Sequence, residues 1–273
     1  MDYNANGAIP SPIDIRDYRI NKTACASINF PQTFITDRLP VKNQRKSPTC
    51  VAHALAEVVE YHNRKQNEKF TTFSTEFIYG CRFDDDYMGE GMVLRDALKE
   101  LQKYGDVFYT VLPQNSDNVE DAMKNVLTNF DTLKPQAYPN RISTYYRIKN
   151  INELKYALIH DGPVAVCAWW YGTTKLDKDK VLTYTETEDK GGHAFLIVGY
   201  DEEYLIAQNS WGTSWGDKGF FKIRISDFEK LFFDVFGVTD NINNEDIVQP
   251  NKFGIIAVII NAIIKIFSKR VDK

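Results

Sequence analysis

The sequence is poor in the residues that build metal and disulfide scaffolds. Its 273 residues hold only four cysteines, Cys25, Cys50, Cys81 and Cys167, and four histidines. No two cysteines form a C-x-x-C pair and none falls at zinc-ligand spacing, so neither a metal site nor a cofactor is expected. An excess of positive charge is missing too. The 33 Lys and Arg face 37 Asp and Glu, a net charge of −4 that offers no field for phosphates, and nucleic acid is excluded as an expected partner. The first ten residues carry no apolar run behind a basic stretch, so a secretory signal is not expected and the chain reads as intracellular or virion-associated, with its thiols reduced. What remains is globular usage, 43% hydrophobic and 26% charged, enough for one substantial core or one fold built from two lobes.

Along the chain, helical signals come first and strand signals second. Residues 1–29, with Pro10, Pro12 and the polar run Asp14-Ile15-Arg16-Asp17-Tyr18-Arg19, read as an ordered or semi-ordered extension. Apolar Val51, Ala54, Leu55, Val58 and Val59, against a polar stripe of His53, Glu57, Glu60 and Arg64, have the 3.6-residue period of a helix. Ser47 is its expected N-cap and Pro48 its first residue, which puts Cys50 in the first turn. Further helices are expected over Val93–Tyr104, stopped by Gly105, and Ile151–His160, stopped by Asp161-Gly162-Pro163. Strands follow at Val164–Trp170, Ala194–Tyr200, Tyr204–Gln208 and Phe220–Ile225. Segregated helices and strands predict an α+β fold with a helical lobe and an antiparallel β lobe. The acidic run Asp84-Asp85-Asp86 lacks calcium-loop spacing and reads as a solvated turn.

Cys50 is the residue with most chemical promise, because a helix N-terminus sets partial positive charge and free N–H groups beside its sulfur. Cys25, Cys81 and Cys167 read as packing residues. If residues 193 to 209 form a hairpin turning about Asp201, His193 and Asn209 lie opposite each other on the two strands, and an amide there can orient an imidazole. His53, on the Cys50 helix, could tune the thiolate but is expected at the surface or between lobes. His62 and His160 read as structural helix-end residues, and Trp169 and Trp170 as core and lobe-interface residues.

Three motifs carry a resemblance to the papain-like cysteine proteases. They are Val41-Lys42-Asn43-Gln44 with five residues between it and Cys50, Gly192-His193-Ala194 leading into Val198-Gly199-Tyr200, and Asn209-Ser210-Trp211-Gly212-Thr213-Ser214-Trp215-Gly216 before Gly219-Phe220. The resemblance implies the two-lobed fold with a catalytic cleft between lobes and a polypeptide substrate. It implies Cys50 as nucleophile, His193 as its acid–base partner and Asn209 as the residue that orients it. Gln44 would complete an oxyanion hole with the Cys50 N–H, and Trp211 would shield the His193–Asn209 contact. Glu90, Gly91 and Gly192 would bind substrate backbone. Two departures stand out: Ser47 occupies a position where secreted members have a disulfide cysteine, leaving Cys81 without that partner, and Val51 replaces a tryptophan. The family's long inhibitory pro-region is not evident, so residues 1–29 are expected either to cover the cleft or to leave the enzyme active as made.

The resulting division is an extension over 1–29, a peptidase domain over 30–238, a linker over 239–252 and an apolar segment over 253–273. The run from Phe253 to Phe267 is nearly all isoleucine and other apolar residues, with Asn261 and Lys265 on one side. It is compatible with a membrane anchor, an interfacial amphipathic helix or a docked helix; nothing in the sequence sets an oligomeric state. The expected activity is peptide-bond hydrolysis through an acyl-enzyme. Its rivals are a catalytically silent, membrane-tethered binding protein of the same fold, and an acyl transferase or ubiquitin-like-tail hydrolase that uses the same dyad.

Overall fold

A computed structural model describes residues 5–20, 25, 28–84, 89–114, 119–239 and 247–248 of the chain. The apolar run from Phe253 to Phe267, Asp85 and Asp86 lie outside these residues. The first half of the chain supplies helices α1 (Cys50–Asn67), α2 (Thr75–Gly80), α3 (Leu94–Tyr104) and α4 (Val119–Ala137). The α4 helix was not foreseen from the sequence. After α5 (Ile151–His160), whose Asn150 cap accepts from the Glu153 N–H at 3.0 Å, the chain turns to strands.

The β lobe is a seven-stranded antiparallel sheet. Its central strand β9 (Lys190–Tyr200) lies between β6 (Val164–Tyr171) and β10 (Tyr204–Gln208). Beyond these lie β11 (Phe220–Arg224) on one side and β12 (Phe232–Thr239) then β5 (Thr144–Arg147) on the other, while β3 (Phe34–Ile35) joins the end of β9. Val, Ile and aromatic residues dominate these strands, as expected of a pleated surface covered on its faces. The expected α+β, two-lobed architecture is therefore the observed one. Helix α1 is the joint of the two lobes: Val51, Leu55 and Val58 share one core with Ala165, Cys167, Ala194, Leu196 and Val198 of β6 and β9.

Two local expectations need correction, the helix cap and the strand register. Helix α1 starts at Cys50 itself, with Thr49 as N-cap; Ser47 instead donates to Gln44 O at 2.6 Å and bonds Thr49 Oγ1 at 2.7 Å. The polar stripe of α1 does not face water, since His53, Glu57 and Glu60 are each 1% exposed or less. The helix lies between the lobes, so its polar face meets protein, and partners compensate the burial: Lys42 Nζ reaches Glu60 Oε1 at 2.5 Å and the Phe73 N–H donates to the same oxygen at 2.9 Å. Finally, the β9–β10 register does not set His193 opposite Asn209. The ladder pairs Leu205 with Tyr200 and Gln208 with Leu196, with a bulge between Ile206 and Ala207. The turn sits farther along the chain than Asp201, because the Asp201 carboxylate accepts from the N–H groups of Glu203 and Tyr204 and holds a longer loop.

The extension begins with β1 (Ala8–Ile9), which pairs in parallel with β4 (Met92–Val93) just before α3. Farther on, β2 (Arg19–Ile20) pairs with β13 (Ile247–Val248). Between them Asp17 is buried and ion-paired: Arg147 Nε reaches it at 2.8 Å and Arg95 at 3.7 Å. Arg147 also binds Asp234 at 2.8 Å, and Asp234 accepts from the Ser11 N–H at 2.8 Å.

Candidate active site

Cys50 is presented by the first turn of α1, where N–H groups have no intrahelical partner. The N–H groups of Ala194, Val51, Cys50 itself and Gly7 point at its sulfur. Ala194 immediately follows His193 on β9, so one strand delivers both a hydrogen-bond donor and an imidazole to the nucleophile.

His193 is held by an amide despite the shifted register. Asn209 lies one step past the end of the β10 ladder, diagonal to His193, and a two-residue offset keeps both side chains on the same face of the sheet. His193 Nε2 and Asn209 Oδ1 are 2.8 Å apart. Oδ1 also accepts from the Ser210 N–H at 2.8 Å, which fixes it as the oxygen end of the amide. An acceptor facing Nε2 requires the proton on Nε2, so Nδ1 carries the lone pair. That Nδ1 is buried and has no hydrogen-bond partner among the described residues. Trp211 stacks on the ring at 4.5 Å between centroids, and Trp170 meets it edge-on at 5.2 Å. Trp170 was expected as a core and lobe-interface residue; its β6 position beside Gly191 places it against His193.

Gln44 is fully buried and fixed at both ends. Ser210 Oγ donates to its Oε1 at 2.6 Å, and its Nε2 donates to Ser47 O at 2.9 Å on the Cys50 side. Ser210 was not singled out in the sequence, although it lies inside the Asn209–Gly216 motif. It links Gln44 of the helical lobe to Asn209 of the β lobe through one side chain and one N–H.

The two glycine positions expected to bind substrate flank the same channel. Gly91 has φ +89°, and a Cβ there would lie 2.7 Å from Gly7 O; a Cβ on Gly192 would collide with Ala8 O. Glu90 stands exposed beside Gly91. The channel is filled by the chain's own extension. Gly7 O accepts from the Met92 N–H at 2.9 Å, and a Cβ on Gly7 would lie 2.8 Å from Cys50 Sγ. Cys50 and His193 are accordingly 0% exposed. Burial pushes the Cys50 thiol up to about 11 against the pull of its N–H neighbours, and burial pushes His193 down to about 4 against its bond to Asn209. Both shifts favour the uncharged forms, the thiol and the neutral imidazole.

All four cysteines are free thiols, Cys81 among them. Cys167 lies in the core next to Cys50's helix and Cys25 is half-buried.

Residues 33–231 match the family model described as papain family cysteine protease. The viral cathepsin of Cydia pomonella granulosis virus (isolate Mexico/1963) is 26% identical over 200 residues, 68% of this chain and 54% of its own length. Cathepsin B-like cysteine proteinase 3 of Caenorhabditis elegans is 41% identical over 80 residues, 28% of this chain and 22% of that one. The chain thus spans about half the length, or less, of these curated relatives. Among solved structures, xylellain, a cysteine protease from Xylella fastidiosa, superposes with a TM-score of 0.73 at 24% identity, covering 88% of this chain and 98% of that one.

Proposed function

The chain belongs to the papain family of cysteine proteases, and from that premise we propose that it is a cysteine-type endopeptidase with Cys50 as nucleophile and His193 as its acid–base partner. The observation that carries the reading is the bond between His193 and Asn209: Oδ1 lies 2.8 Å from Nε2, which sets the proton there and leaves a buried Nδ1 with a bare lone pair. Nδ1 takes the thiol proton, and the thiolate attacks a peptide carbonyl. Negative charge that develops on the carbonyl oxygen meets two fixed donors, the Cys50 N–H and Gln44 Nε2. The His193 imidazolium then protonates the leaving amine, and a water that gives its proton to Nδ1 releases the acid from the acyl-enzyme. The buried partners of Gln44 and Asn209 keep these groups from reorienting between steps. A silent binding protein has no use for all four of Gln44, Cys50, His193 and Asn209, and the bonds among them speak for chemistry.

The same proposal gives residues 1–29 the role of a cover. A nucleophile with no exposed surface admits no substrate, so residues 5–12 have to leave the channel before turnover. The Gly7 N–H is among the donors at the sulfur, so the segment meets Cys50 with a hydrogen bond. Removing it returns water to both catalytic groups and lowers the cost of the thiolate–imidazolium pair.

The test is labelling by a thiol-directed electrophilic peptide, with mass mapping of the modified residue and of the N-terminus. Label at Cys50 and hydrolysis of a peptide substrate are expected. Label elsewhere, or hydrolysis that survives in Cys50→Ala, overturns the reading, and transfer of the acyl group to an added amine in place of water redirects it to acyl transfer.

A further inference from the structure

His53 is the one buried imidazole outside the catalytic pair that reaches a group of the reaction site. It lies one turn after Cys50 on α1, 1% exposed, where the period of the helix would accept any apolar residue. A buried imidazole without partners is costly, so its partners are informative. Nδ1 lies 2.9 Å from Thr49 O and 3.2 Å from Thr49 Oγ1, and the ring also bonds the Gln114 side chain. Because Thr49 O can only accept, Nδ1 carries the proton.

Thr49 O belongs to the peptide unit whose other end is the Cys50 N–H. That oxygen already accepts the ordinary helical bond from the His53 N–H at 3.0 Å. The ring therefore adds a second donor to the same carbonyl. Two donors on one carbonyl draw electron density out of the amide and make its N–H a stronger donor, and they also fix the plane of the peptide. Nothing else at the helix start does this: the Thr49 side chain makes no cap bond to the first turn and instead bonds Ser47.

We infer that His53 is a positioning residue for the oxyanion hole, fixing and polarising the Thr49–Cys50 peptide so that its N–H meets the developing oxyanion. The inference rests on the assignment of Cys50 as nucleophile. His53 would act on the transition state through the peptide and would leave the thiol and the substrate-binding walls as they are. The device suits this chain, in which Ser47 and hydrogen bonds hold the loop between Gln44 and Cys50 and Cys81 is a free thiol.

The test uses two polar substitutions that differ in where an N–H can sit. His53→Asn places its amide nitrogen where Nδ1 was; His53→Gln carries it farther out, toward the Nε2 position. The full chain is used, and turnover is expressed per Cys50 alkylated by iodoacetamide, so covering of the cleft does not enter. For His53→Gln, kcat is expected to fall about tenfold, a fraction of the loss for deleting an oxyanion donor outright. Affinity for a peptide aldehyde, which needs the hole, falls by the same factor. KM and the alkylation rate, which do not need it, stay within about twofold. His53→Asn should restore most of kcat and of aldehyde affinity. Equal kcat in wild type and His53→Gln overturns the inference, as does loss of alkylation in step with turnover, which would put His53 on the thiol. His53→Asn no better than His53→Gln overturns it as well. Wild-type chain that is alkylated at Cys50 but hydrolyses no peptide overturns the peptidase reading itself, and this inference falls with it.

Discussion

Residues 5–20 meet the rest of the molecule through two short strands and a few ion pairs, while the groups beneath them are joined by an unbroken run of buried hydrogen bonds. The run passes from Gln44 through Ser210 and Asn209 to His193, with donor–acceptor distances of 2.6 to 2.8 Å and no member more than 3% exposed. The cover, by contrast, has two-residue strands, an almost fully exposed Ile13 between them, and its main anchor in the Asp17–Arg147–Asp234 pairs. A short ladder with solvent at its edges opens at low free energy, whereas a buried network opens only with the fold. The contrast fits the proposal of a cover that leaves and a catalytic face that stays rigid beneath it.

The largest effect that sharpens the contrast comes from the rigid side. Cys50→Ala and His193→Ala are each expected to lower peptide hydrolysis by about 10⁴-fold or more with little change in fold, because members of a catalytic unit fail together. Ordinary turnover in either variant would separate the buried network from the chemistry. Gln44→Ala comes next, at about 10²-fold in kcat with KM little changed, the loss expected for one oxyanion donor. A pure rise in KM would move Gln44 from the transition state to ground-state binding.

A smaller effect of opposite sign belongs to the cover. In Gly7→Ala the new methyl would lie 2.5 Å from Pro48 O and 2.8 Å from Cys50 Sγ, both fixed at the start of α1. Overpacking of this kind costs roughly 1–3 kcal/mol, and the cover, not the helix, is the side able to yield. Alkylation of Cys50 by iodoacetamide is expected to speed up about tenfold, the equivalent of about 1.4 kcal/mol. An unchanged rate would mean that the cover is not what limits access.

The sequence made the catalytic face more legible than the surroundings that hold it. Short motifs located Gln44, Cys50, His193, Asn209 and Trp211, because each chemistry needs a residue type at a set place. The α+β division was legible from the order of periodicities. The contact between His193 and Asn209 was expected for a partly mistaken reason: a longer turn and a bulge shift the register, and a diagonal reach restores the meeting. The polar stripe of α1 left its surroundings open, since periodicity separates two faces of a helix but not whether the polar one meets water or a second lobe. Ser47 at the cap position misled, because its hydroxyl had a better acceptor in Gln44 O than in the helix. Gly7 carried no local signal at all, as its close approach to Cys50 depends on where the extension docks.

That inward polar stripe supplies the smallest of the expected effects, and it is read from stability in place of turnover. Burial raises the Glu57 carboxyl to about 8, with Glu60 adding to the rise, against the pull of Lys42 and of the bond from the Lys42 N–H. In the unfolded chain the same group titrates near 4.5. Below that pH both states hold the proton and its contribution is complete. Between about 4.5 and 8 the folded chain keeps a proton that the unfolded chain releases, so stability falls as pH rises through this window. Burial moves His53 and His193 the other way, down to about 4 from 6.5, so their contribution is present above 6.5 and is lost as pH falls toward 4. Burial raises the carboxyls of Glu60, Asp106 and Asp161 as well, so the share of Glu57 is read as the difference between the parent chain and a variant. Glu57→Gln keeps the shape and an oxygen for the Lys42 N–H but has no proton to lose. Urea midpoints at pH 6.5 and 8 should therefore fall in the parent chain, by up to about 1.4 kcal/mol per pH unit of stability, and fall less in the variant. Equal falls in both would show that the inner face of α1 takes up its charge without cost, and would remove the distinction drawn here between a rigid buried network and the ionic cover above it.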